Sequence, residues 1–231
     1  MNRFPLGSRS FLAVLVLTVA FAPTVVPAAT IFESGTLGPT GIPFSDLGGT
    51  VPGTNIKDTV FAGVRFQLNQ PVVTSQIGGH FVATSSGNFF GAIVELDDEN
   101  DFPNSEDLTT PDVLGATLLT FPVPSAEVFG NLSLSLDPGW YALVFGSGLF
   151  GATTNGGAVR NGTDIGDPTY IGHQPGATPS GWFNLAGLPT MFDNHRFVIK
   201  GSIVPEPSSA SLFLLASLHS LLNRKPGRRN L

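Results

Sequence analysis

The chain has 231 residues, 42% hydrophobic and 12% charged, which is enough apolar material for a buried core and the wrong balance for a disordered chain. The net charge of −6 conceals sixteen acidic against five basic residues between Thr30 and Val204, a local −11 that repels phosphate backbones and argues against nucleic acid as a partner. There is no cysteine, so the fold has no disulfide and its start no lipid-modified thiol.

In chain order, Arg3 and Arg9 precede an apolar run, Phe11–Ala22, interrupted only by Thr18. Pro23 ends the run and Pro27-Ala28-Ala29 supplies small residues. A basic start, an apolar stretch and a small-residue boundary make a secretory signal peptide over residues 1–29, cut by signal peptidase after Ala28 or Ala29. The run is short of the roughly 20 residues a stable membrane span needs.

Residues 30–203 suit one domain. Gly and Pro, 28 and 19 in number, are scattered between short apolar runs and read as turns of an all-β protein. Val60–Leu68 sets Ala62, Val64, Phe66 and Leu68 on one face and Arg65 and Gln67 on the other, the period of two of a half-buried strand. Val72–Val82, Phe89–Leu96, Leu114–Phe121, Asn131–Leu136, Trp140–Phe145 and His195–Ile203 are further strand candidates. Asn131–Leu136 alternates strictly with Leu132, Leu134 and Leu136 inward, and Asp137-Pro138-Gly139 then predicts a tight turn that returns Trp140–Phe145 as the second arm of a hairpin. Gly151–Gly181 reads as a long loop or a set of short edge strands. The sum is an all-β fold, a single jelly-roll-like β-sandwich.

Chemistry-bearing candidates are few. Gly146, Gly148 and Gly151 satisfy G-x-G-x-x-G, but no helix follows, so they mark a glycine-rich loop. Asp97, Asp98, Glu99 and Asp101, with Glu106 and Asp107 beyond, form the densest acidic cluster and could gather oxygens for calcium, the one cofactor the sequence suggests; a solvated acidic loop is the alternative. Trp140, Tyr141, Tyr170, Trp182 and Phe183 could stack on sugar rings, with Trp182 and Tyr170, in the irregular region, the chosen platform. His80, His173, His195 and His219 have no metal-site spacing, and Ser147 lacks the glycine frame of a nucleophile elbow. The reading is non-enzymatic.

The end of the chain, residues 204–231, runs Val204-Pro205-Glu206-Pro207-Ser208-Ser209, then apolar Ala210–Leu222, then Arg224, Lys225, Arg228 and Arg229. The two prolines hold an extended stretch, the apolar segment partitions into a bilayer, and the basic residues stay on the cytoplasmic side. In this order the pieces resemble the PEP-CTERM sorting signal of Gram-negative-type bacteria. The resemblance implies an exosortase partner acting at Pro205, Glu206 and Pro207, a sorting helix held transiently in the membrane, and delivery to the cell surface or extracellular matrix. Ser217, His219, Ser220, Pro226 and Gly227 depart from the pattern and weaken lasting membrane residence. The middle of the chain also resembles sandwich domains carried by PEP-CTERM proteins, which implies architecture only. A carbohydrate-binding module acting on exopolysaccharide and an unrecognised hydrolase are the alternative functions.

Overall fold

The computed structural model describes residues 28–47, 53–178, 180–185 and 193–204. The tail motif and basic cluster at 205–231, and the signal peptide up to residue 27, lie outside the described residues. Within them the strands are β1 (Ala29–Glu33), β2 (Gly53–Ile56), β3 (Phe61–Leu68), β4 (Val72–Val82), β5 (Asn88–Leu96), β6 (Val113–Thr120), β7 (Ala126–Asn131), β8 (Ser135–Leu136), β9 (Gly139–Gly146), β10 (Gly156–Val159), β11 (Thr169–His173), β12 (Trp182–Asn184) and β13 (Phe197–Ile203). They form an all-β domain of two antiparallel sheets, one curled into a half-barrel.

The first sheet is organised around β4. One of its edges pairs with β13 and then β10, the other with β8 and then β7. Gly78 and Gly79 sit mid-strand because a Cβ there would collide with Val128 O and Arg196 O from the two flanking chains. β1 extends the sheet beyond β13, and β2 beyond β10. The second sheet runs β12-β11-β3-β9-β5-β6.

Between the sheets lies the main core, to which β3 gives Ala62, Val64, Phe66 and Leu68, the four residues its alternation assigns inward. Phenylalanine dominates there. Phe81 lies 4.8 Å from both Phe89 and Phe145 in tilted and edge-on contact, and Phe89 stacks on Phe121 at 3.9 Å. A second apolar cluster covers the opposite face of the second sheet, where Phe90, Val94, Ala142, Val144 and Ile171 meet Leu108, Ala152 and Trp182 from the connecting segments. Arg65 is therefore not on a solvated face: it is 3% exposed beneath residues 97–112.

Two expectations are corrected. Asn131–Leu136 is not one strand: β7 ends at Asn131 and β8 begins at Ser135. Between them the Thr74 hydroxyl donates to Leu132 O at 2.7 Å and accepts the Leu134 N–H at 2.9 Å, a side chain inserted beside the backbone bonds from Thr74 N–H to Leu134 O and from Leu132 N–H to Ser75 O. Leu132, Leu134 and Leu136 still pack on the core, so the alternation reports their facing correctly. Nor does Asp137-Pro138-Gly139 close a hairpin. β8 pairs with β4 in the first sheet, whereas β9 pairs with β3 and β5 in the second, so this turn crosses between layers. The Tyr141 hydroxyl donates to Asp137 O at 2.8 Å and ties the corner.

Candidate functional site

The acidic segment folds into a flap over the second sheet. Leu108, 2% exposed, plugs the outer apolar cluster, with Phe102 half-buried beside it. Arg65 fastens the flap from below, donating to Asp101 O at 2.6 Å, Asn100 O at 3.1 Å and Asn184 Oδ1 at 2.8 Å, with its guanidinium 4.2 Å over the Phe102 ring. Burial pulls Arg65 below its ordinary value, opposed by the charges of Asp101 and Asp98.

Of the four carboxylates proposed for calcium, Asp98 and Asp101 serve this loop's own backbone. Asp101 accepts the N–H of Asp97 at 2.9 Å and of Phe102 at 2.8 Å, and Asp98 accepts that of Asn100 at 2.7 Å. Asp97 and Glu99 are exposed. Among the described residues no three His, Asp or Glu side chains gather where they could hold a metal ion.

The aromatic platform is also corrected. Trp182 is 1% exposed, and its indole N–H donates to Ser105 O at 3.1 Å. Tyr170 is 4% exposed, and its hydroxyl lies 2.6 Å from Asp164 Oδ1, 2.8 Å from His195 O and 3.2 Å from Ser34 O. Burial and then Asp164 raise its pKa well above the ordinary phenol value. A stacking platform needs an open ring face, and neither side chain has one.

The histidines stand apart, each in its own setting. His80 pairs with Asn161 Oδ1 at 2.7 Å and Ser125 Oγ at 3.1 Å. His195 pairs with Thr54 Oγ1 at 2.7 Å and Val159 O at 3.3 Å. His173 packs 4.9 Å from Phe61, with Nδ1 2.9 Å from Thr59 O. Burial lowers the pKa of all three, that of His195 to about 4.

A concave site lies elsewhere, at the open mouth between the layers. β11 pairs with β3 only as far as Arg65, so the chain beyond it faces β1 across a cleft of about 500 Å³. Phe66 lines its floor, stacked on Phe32 at 5.0 Å and on Tyr141 at 5.6 Å. Trp140, half-buried, stands on one wall, and Ile165–Pro168 form another. Thr30, Glu33, Gln67 and Asp167 bring polar groups to the lining. Glu33 is held by Arg196, which donates to its Oε2 at 2.7 Å and also to Glu127 and to Gly35 O. Burial alone lowers the Arg196 pKa, but Glu33 and Glu127 more than offset it. Trp140 is among the aromatics the sequence offers, yet nothing there sets it above Trp182.

Compared with known proteins, the chain matches no family model and none of the curated proteins.

Proposed function

We propose that this chain is a non-enzymatic exported protein, a jelly-roll-like sandwich carried to the surface or extracellular matrix of a Gram-negative-type bacterium. Signal peptidase frees its start, and an exosortase recognises Pro205-Glu206-Pro207 while the sorting helix rests transiently in the membrane. The observation that carries the reading is the fit between the two sequence signals and the ends of the fold. β1 opens at Ala29, the expected cleavage boundary, and β13 closes at Ile203, with Val204 N–H bonded to Pro71 O at 2.9 Å just before the proline pair. Each signal therefore meets the fold at a strand end: a cut after Ala28 leaves the β1–β13 ladder whole, and a cut after Ala29 costs only the rung between Ala29 and Gly201.

The test is fractionation of an exosortase-positive host. Glu206→Ala should leave membrane insertion intact and block release, so a full-length species accumulates with the membranes. Neutralising Arg224, Lys225, Arg228 and Arg229 should instead let the chain pass through unprocessed. Trimming of Glu206→Ala at the natural rate would overturn the sorting reading.

A further inference from the structure

We propose that the cleft between β1 and β3 binds a stretch of neutral polysaccharide, with Trp140 as the stacking face and Gln67 as a hydroxyl-reading group. A pyranose ring has a flat C–H face and a rim of hydroxyls. It is matched by an aromatic plane beside planar polar side chains, in a site formed before the ligand arrives. The cleft has those parts. Trp140 is half-buried, and among the described residues its indole N–H has no acceptor, in contrast to that of Trp182. Gln67, its cross-strand partner, is exposed at the lining. Phe66 is buried against Tyr141, and Glu33 is pinned by Arg196, so the floor and one wall are set in advance.

Charge selects the class of chain. Glu33 and Asp167 put carboxylates on the lining, and Arg65, whose guanidinium is committed to Asn100, Asp101 and Asn184, is the one cation among the described lining residues. A uronate or sulfated polymer would meet the Asp167 carboxylate, while Arg196 is already held between Glu33 and Glu127 and Arg65 is committed to the flap. The cleft is open to solvent rather than enclosed, which suits an internal stretch of chain.

The inference stands apart from the tail, because every lining residue lies between Thr30 and Pro168 and none of its supports lies beyond Arg196. Either test can fail alone. Trp 2 in the composition provides the probe: in Trp182→Phe, Trp140 is the sole indole. Purified full chain is titrated with cellohexaose, xylohexaose, mannohexaose and laminarihexaose, and with oligogalacturonate of equal length. The expected result is a saturable change in Trp140 emission with at least one neutral hexasaccharide and none with oligogalacturonate. Calorimetry on the unsubstituted chain reads the same binding should Trp182→Phe fail to fold. Trp140→Ala should weaken that binding about tenfold, as loss of one stacking contact of ~1.4 kcal/mol does, and the exposed Gln67→Ala should weaken it measurably without touching the core. No saturable binding to any neutral chain overturns the proposal. So does binding that both substitutions leave unchanged, or a preference for oligogalacturonate.

Discussion

At the scale of single residues, the domain buries several polar side chains, among them Ser34, Thr54, Arg65, His80 and His195, on hydrogen-bond partners from distant parts of the chain. His195 is 0% exposed in side chains from β2, β10 and β13, and that burial drives its pKa down to about 4, with Val159 O and Asp193 opposing and Arg160 assisting. In the unfolded chain an imidazole ionises near 6.5, so between roughly pH 6.5 and 4 the unfolded state holds the extra proton. Stability then falls as pH falls through that window and stops changing on this account below about 4, where both states are protonated. A difference of about 2.5 pKa units corresponds to about 3 kcal/mol. Urea unfolding at pH 7 and pH 4 should show that loss beside the contributions of the carboxylates and of His80 and His173, whose pKa values burial also lowers, and His195→Gln should remove the His195 share. A slope equal in both chains would refute the burial argument. None of this network is legible beforehand, because Thr54 and His195 are 141 positions apart and Ser34 reaches Phe197 across 163.

At the scale of elements, the acidic flap is held by contacts of its own. Carboxylate density at Asp97–Asp107 suggests a cation, yet Asp98 and Asp101 cap backbone N–H groups and the segment is anchored by Leu108 and Arg65. Melting temperature should thus be the same in chelator and in about 10 mM calcium, roughly tenfold above the weakest extracellular calcium constants. Leu108 carries its plug at φ 52, in the left-handed region that suits glycine. Leu108→Ala keeps that strain while emptying the plug, at a cost of about 2–4 kcal/mol. Leu108→Gly empties it too but relieves the strain, so chemical unfolding should find it no less stable than Leu108→Ala. Strands were legible where a period of two runs between turn residues: β4 has the expected bounds, and β3 and β5 differ by one residue at their starts. β10, β11 and β12 were not given bounds, because they are short, β10 and β11 contain glycine, and all three carry little alternation. Pairing was not legible either, since facing follows from alternation but partner choice depends on distant chain. The cleft shares that limit, its lining coming from Thr30–Glu33, Arg65–Gln67, Trp140 and Ile165–Pro168.

At the scale of the whole molecule, the first strand and the last lie side by side. β1 pairs antiparallel with β13, Ala29 opposite Gly201 and Glu33 opposite Val198, so the chain enters and leaves the fold at the same end of one seam. An exported protein tethered at both ends could fold between its tethers without threading either through the sheets, a topology compatible with trimming at each end. The seam is also structural. Phe32 stacks on Phe66, Glu33 accepts from Arg196, and the Ser34 hydroxyl accepts the Phe197 N–H at 2.9 Å. A chain starting at Thr30 keeps all three and should melt with one starting at Ala28. A chain starting at Ser34 loses the five residues of β1, including the Phe32 ring and the Glu33 pair. Full burial of a phenylalanine is worth about 1.5–3 kcal/mol, of which half-buried Phe32 gives part, and the partly exposed Glu33–Arg196 pair adds up to about 1 more, which for a domain of this size lowers the melting temperature by roughly 4 °C or more. That deletion also removes one wall of the cleft, so calorimetry on the shortened chain should show loss of saccharide binding together with the lower melting point. Equal melting temperatures for the chains starting at Thr30 and Ser34 would show that β1 is an appendage, and that the fold closes without its first strand.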